Sequence, residues 1–145
     1  MELRFNHMEL TFPPGSLTEE FCADVGAFYS DVLGFTSDVR PMFQQPSQTL
    51  TLPNGDFVLL IEGEQPMQAP GFDHLGIELS SRADVDTVLG RVKAWQARDA
   101  RVELKEYDDG VMDGLLYHAF YVRHLLPIWL DIQYREPASS PEGSR

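Results

Sequence analysis

Histidine and carboxylate side chains move protons near neutral pH and hold divalent metals, so strands that present them are the first place to look for chemistry. Three stretches of this chain do so in alternation. In Phe5-Asn6-His7-Met8-Glu9-Leu10 an extended backbone places His7 and Glu9 on one face, Met8 and Leu10 on the other. In Phe72-Asp73-His74-Leu75-Gly76-Ile77-Glu78-Leu79 the polar face is His74, Gly76 and Glu78, opposite Leu75, Ile77 and Leu79. Ile128-Trp129-Leu130-Asp131-Ile132-Gln133 follows the same pattern with a carboxylate and no histidine. A half-buried strand ordinarily shows water Thr, Lys and Ser. These three polar faces are therefore read as turning into one cavity that the rest of the chain holds in place.

The elements that must do the holding follow from periodicity. A strand over residues 4–12 stops at Pro13-Pro14-Gly15. Ser16 with Glu19 three residues on is a capping box, with Thr18 as the competing cap. The helix it opens carries Phe21, Val25, Phe28, Tyr29 and Val32 as one apolar stripe and ends at Gly34. Cys22 lies beside that stripe without a basic neighbour to activate it and is read as core filler. Strands are expected over 35–39, 48–52 and 56–61, the last two joined by a tight hairpin at Pro53-Asn54-Gly55, and residues 65–71 as a linker. After the His74 strand, Ser81 and Asp84 cap a second helix with the stripe Val85, Val88, Leu89, Val92 and Trp95. A short strand over 102–104, an acidic turn region over 107–114, and strands over 115–123 and 128–134 complete the chain. The order is strand, helix, three strands, and then the same again, which predicts two units that each wrap a sheet around one helix.

At 145 residues the chain reads as one domain over 1–136, with one module at about 4–64, a second at about 72–134, and a flexible tail over 137–145. A formal net charge of −12 argues against nucleic acid or an anionic membrane as partner, since both require a basic face. One cysteine excludes an internal disulfide framework and fits a reducing compartment. No apolar run approaches a membrane span or a signal-peptide core, so a soluble, cytoplasmic protein is expected.

These residues resemble the vicinal oxygen chelate superfamily, which includes glyoxalases, extradiol dioxygenases, fosfomycin-resistance enzymes and bleomycin-binding proteins. The resemblance is carried by Phe5 to Leu10, by Phe28-Tyr29-Ser30-Asp31-Val32-Leu33-Gly34-Phe35, by Phe72 to Ile77 and by Trp129-Leu130-Asp131-Ile132, and it spans roughly residues 4–134. It implies an α+β fold of two βαβββ modules whose curled mixed sheets form a cup, and a homodimer. It also implies a metal site on His7, His74 and Asp131. Two imidazoles and one carboxylate with open positions suit Fe(II), Mn(II) or Zn, which would act on a substrate's vicinal oxygens. Asp131 stands where the family more often has Glu, one methylene longer, which leaves Gln133 and Glu78 as substitutes for the third ligand. Glu62, at the end of its strand, is too late for the fourth ligand of a glyoxalase-type site.

Around that site Glu9 and Glu78 share faces with the histidines and are candidates for moving protons. Phe120-Tyr121-Val122-Arg123-His124-Leu125-Leu126-Pro127 followed by Asp131 resembles the extradiol signature, which makes Tyr121 a substrate contact, although the histidine expected before the tyrosine is absent. Tyr117 and Arg123 share the Tyr121 face, and with Trp129, Phe57 and Phe43 they would wall a substrate; His118 faces the other way, toward a helix or a dimer partner. The reading is a divalent-metal enzyme, lyase, isomerase or dioxygenase, acting on a small oxygen-rich molecule, aromatic or not. The alternative is a metal-free drug-sequestering protein of the bleomycin-resistance type, which the acidic charge favours and the paired histidines disfavour. Fosfomycin-type thiol transfer is weaker, because Glu9 stands where that group has Thr.

Overall fold

Thr18, not Ser16, opens the first helix. Its Oγ1 accepts from the Phe21 amide at 3.1 Å, whereas the Ser16 hydroxyl turns back to donate to the Pro13 carbonyl. Two residues of register decide the cap, because only Thr18 lies three positions before a free first-turn N–H on the observed helix. The helix ends where expected, at Gly34 with φ +71°, a left-handed conformation that glycine adopts without a Cβ penalty.

The computed structural model describes residues 1–139 and divides into two compact units. One comprises Met1–Pro70 with His124–Pro127; the other comprises Gly71–Arg123 and the chain from Ile128. The first contains β1 (His7–Phe12), α1 (Glu19–Leu33), β2 (Thr36–Val39), β3 (Ser47–Thr51) and β4 (Phe57–Glu62). Its sheet runs β1-β4-β3-β2, with β1 parallel to β4 and the other pairs antiparallel. Register sets Leu10 against Leu60 and Val58 against Leu50, all buried on the face that carries α1. Val25, Phe28 and Val32 of α1 are wholly buried in return, and each such side chain contributes about 2 kcal/mol. Gly26 permits the approach: a Cβ there would lie 2.8 Å from Ser37 Oγ. Beside it the buried Gln48 amide donates to the Cys22 carbonyl at 2.7 Å and to Ser37 Oγ at 2.9 Å. Cys22 is buried, as its reading as filler requires, and burial followed by the nearby Glu62 charge pushes its thiol pKa up.

The second unit contains β5 (His74–Glu78), α2 (Arg82–Gln96), β6 (Glu103–Glu106), β7 (Gly110–Met112), β8 (Leu115–Arg123) and β9 (Trp129–Pro137). Its sheet runs β5-β9-β8-β6 with β7 added on β8; β5 and β9 are parallel, the rest antiparallel. Ser81 caps α2, accepting from the Asp84 amide, and Val85, Val88 and Val92 are buried where α2 meets β8 and β9. The fold class is α+β, with mixed open sheets and one helix in each unit, as the sequence predicts.

The second unit differs from prediction by one strand. Residues 107–114, expected as an acidic turn, contain β7, which pairs Met112 with Leu115 across a two-residue loop. Asp113 (φ +52°) and Gly114 (φ +76°) both take left-handed backbone, the geometry whose twist matches a β-hairpin. β9 also runs to Pro137, three residues past the predicted end at 134, and most of the tail expected over 137–145 lies outside the described residues. Among the described residues no helix is long and apolar enough to cross a membrane.

Candidate functional site

Strand register assigns the polar face of the second unit. Tyr121 lies opposite Asp131, Ala119 opposite Gln133 and Tyr117 opposite Arg135, while on the other flank Gly76 pairs with Asp131 and Glu78 with Gln133. Paired residues point the same way, so His74, Glu78, Tyr117, Tyr121, Asp131, Gln133 and Arg135 share one face. Phe120, Val122, Leu130 and Ile132 occupy the opposite, buried face toward α2. The polar face is the floor of a cavity of about 590 Å³. Tyr107, Asp108 and Gly110 to Met112 complete its lining. Small residues at Gly76 and Ala119 leave the floor open between the larger side chains.

His74 and Asp131 both line it, with His74 Nε2 3.7 Å from Asp131 Oδ2. His74 Nδ1 donates to the Phe72 carbonyl at 2.9 Å, which fixes a proton on Nδ1 and turns Nε2 toward Asp131. Asp131 is buried and its Oδ1 has no hydrogen-bond partner among the described residues. Burial raises the Asp131 pKa above the usual carboxylate value, with His74 acting in the opposite direction.

Aromatic rings crowd the same place. Tyr121 packs on His74 with ring centroids 4.7 Å apart and on Tyr107 at 4.9 Å; Phe72 lies 6.5 Å from Tyr121 and 5.4 Å from Trp129. Burial, then the Asp131 charge, raises the Tyr121 pKa, so its hydroxyl stays a proton donor through neutral pH. Lys105 places Nζ 3.6 Å from the centre of the Phe72 ring. At the other end Arg135 clamps both Glu78 oxygens, at 3.0 and 2.6 Å, and also bonds Tyr117. That clamp is the main reason the Glu78 pKa lies below its usual range. Arg123 makes the corresponding pair with Glu103 and stacks over Trp129, which is thereby buried.

The remaining candidates belong to the first unit. His7 is the first residue of β1, exposed, and stacked on its register partner Phe57 with centroids 4.8 Å apart and the rings nearly parallel. Its Nδ1 donates to Asn6 Oδ1 at 2.7 Å. Glu9 is exposed on the same face of β1. Phe43 is exposed in the turn before β3. Glu62 sits on the helix side and accepts from the Leu17 amide at 2.9 Å. In the second unit His118 faces α2, as expected from alternation, with Nε2 2.7 Å from Asp86. Among the described residues no group of three or more His, Cys, Asp or Glu side chains is gathered to hold a metal; the second unit supplies the pair His74 and Asp131.

Sequence reasoning misses Tyr107 and Arg135. Arg135 is within reach of the period-2 rule, being four residues beyond Asp131, but the predicted strand stops one residue before it. Tyr107 falls in a region whose composition suggests a turn, where Asp113-Gly114 between apolar pairs is the overlooked hairpin signal.

No family model matches the chain, and no curated protein matches it in sequence. Solved structures do match. A glyoxylase/bleomycin resistance protein/dioxygenase domain from Frankia sp. EAN1pec aligns over 94% of this chain and 100% of its own, with TM-score 0.63 and 17% identity. The fosfomycin resistance protein FosX from Listeria monocytogenes, in a mutant form complexed with Mn(II) and 1S,2S-dihydroxypropylphosphonic acid, aligns over 91% and 92%, with TM-score 0.60 and 15% identity. The oxidase ChaP-H2 aligns over 96% and 98%, with TM-score 0.59 and 19% identity. The fold is shared with these proteins. At such identities the likeness is one of fold, and proteins with this fold carry different chemistries.

Proposed function

We propose that the chain is a divalent-metal enzyme of the vicinal oxygen chelate type, with His74 and Asp131 as two of the metal ligands. One observation carries the reading: His74 Nε2 is turned to 3.7 Å from a buried carboxylate whose Oδ1 has no hydrogen-bond partner among the described residues, inside an aromatic-walled cavity. The donor chemistry fits. His74 has Nδ1 committed to an oxygen acceptor, the arrangement that orients Nε2 toward a metal. The FosX protein of the same fold was solved with Mn(II), and imidazole with carboxylate also suits Fe(II) or Zn. When bound, such a metal would supply Lewis acidity to paired oxygens of a small substrate.

The chain's own residues have separate tasks. Tyr121, protonated and beside Asp131, donates a hydrogen bond to a substrate oxygen. Tyr107 and Tyr117 line the cavity and would contact an apolar or planar part of the substrate. Arg135, held in place by Glu78, offers its remaining N–H groups at the far end. The substrate is thus a small oxygen-bearing molecule; sequestration of a drug without metal is the rival, favoured by the net charge of −12.

Elemental analysis of the purified protein, then calorimetric titration of Mn(II) and Zn(II) into chelator-treated protein, tests the reading. Wild type should bind one equivalent, and His74→Ala should weaken binding by about tenfold or more. Equal uptake by wild type and His74→Ala would remove the enzyme reading in this form.

A further inference from the structure

His118 lies outside the proposed metal site, yet both its ring nitrogens are engaged. Nδ1 is 2.7 Å from Asp109 Oδ1 and Nε2 is 2.7 Å from Asp86 Oδ1. Arg82 holds the second oxygen of Asp109. Asp109 interrupts the run of residues that walls the cavity, with Tyr107 and Asp108 before it and Gly110 to Met112 after it. We propose that His118 is a positioning residue for that wall: its imidazolium clamps Asp109 on one side and Asp86 of α2 on the other, and loss of its proton loosens segment 107–112 from β8. The inference rests on the reading of this cavity as the ligand site.

Proton counting supplies the reason. Ionised carboxylates only accept hydrogen bonds, and a neutral imidazole has one N–H and one lone pair. Both contacts can be hydrogen bonds only in the cation; in the neutral ring one of them sets a lone pair against a carboxylate at 2.7 Å. Asp86 and Asp109 then compete for the single remaining proton. The other groups around His118 are Arg82 on α2, and Tyr134 and Glu136 on β9; Tyr134 is its direct register partner, and Glu136 acts on Arg82. Burial opposes the imidazolium, but the hydrogen bonds to Asp109 and Asp86 outweigh it and hold the His118 pKa above its ordinary 6.5. A raised pKa means that the clamp is complete below pH 6.5 and is lost as pH rises through the higher value. Hydrogen bonding to His118 and then to Arg82 keeps the Asp109 pKa low, so this carboxylate stays ionised throughout that window.

The test is amide hydrogen-exchange protection of residues 107–114 between about pH 5.5 and pH 9, a range that brackets the histidine titration, with the His118 ring titrated in parallel by NMR. Both are run on metal-free full-length protein, so their outcome is independent of whether the cavity binds metal. Protection in wild type should fall by about tenfold, the equilibrium worth of one charge-assisted hydrogen bond, with the ring titration as its midpoint. Asp86→Asn should move the midpoint to lower pH while leaving protection at acidic pH intact, and His118→Gln should remove the pH dependence. A ring that titrates below pH 6.5, protection that stays flat while the ring titrates, or an unchanged pH dependence in His118→Gln would each overturn the proposal. The wild-type titration alone decides the matter should a variant fail to fold.

Discussion

Asp131→Asn should uncouple two quantities that a structural carboxylate would lose together. Without metal, Asp131 is a charged group under a desolvation penalty: it is buried, and its Oδ1 has no hydrogen-bond partner among the described residues. Its pKa is raised, chiefly by burial, so the charged form costs stability that disappears only as pH falls through the raised value toward 3.8. Each unit of such a shift is worth about 1.4 kcal/mol, reduced where water in the cavity screens the charge. An amide of the same shape carries no charge, though it has a donor of its own to satisfy. The metal-free variant should therefore be within about 1 kcal/mol of wild type, on the stable side at neutral pH. With metal the sign reverses. A ligand at one hundred times its dissociation constant stabilises the folded state by about 2.7 kcal/mol. For a chain of this length that is roughly 8 °C in Tm. The variant, lacking the anionic ligand, should keep less than about 3 °C of that shift. Differential scanning calorimetry at pH 7, with and without Mn(II), measures both. A metal-free variant that melts more than about 6 °C below wild type would show Asp131 to be a satisfied structural carboxylate. A full metal shift in the variant would remove it from the ligand set.

Two further outcomes bear on the scaffold. Gly26→Ala should lower Tm despite a helix-propensity gain of about 1 kcal/mol, because the new Cβ would lie 2.8 Å from Ser37 Oγ, itself held by Gln48; a rise in Tm would show that Ser37 yields without loss. Thr18→Ala should cost about 1 kcal/mol in urea denaturation, whereas Ser16→Ala should change stability by less than half of that, since only Thr18 caps α1; the opposite ranking would return the cap to Ser16.

Local chemistry was legible wherever one rule acted alone. The glycine stop at Gly34, the Ser81 cap and the Asn54-Gly55 turn, with Gly55 at φ +91°, each depend on a single residue's backbone freedom or side-chain oxygen. Where two signals competed, the sequence was ambiguous. Ser16 and Thr18 are both good caps, and the choice falls to whichever register buries Cys22, Val25 and Phe28 together. Asp113-Gly114 was hidden among acidic residues that also suit a loop, and only pairing with β8 makes β7 a strand.

The sequence by itself determined which side chains share a strand face, because alternation is a property of the extended backbone whatever surrounds it. Thus Tyr117 and Tyr121 separate from His118 and Phe120 by parity alone, and the registers place them so. Only tertiary structure decided which strands lie side by side. The parallel pairing of β5 with β9 brings His74 Nε2 to 3.7 Å from Asp131 and Glu78 under Arg135, contacts between residues 57 positions apart in both cases. Neighbours along the chain cannot specify such pairings: they follow from burying Leu130 and Ile132 against α2, and the polar face comes together as a consequence.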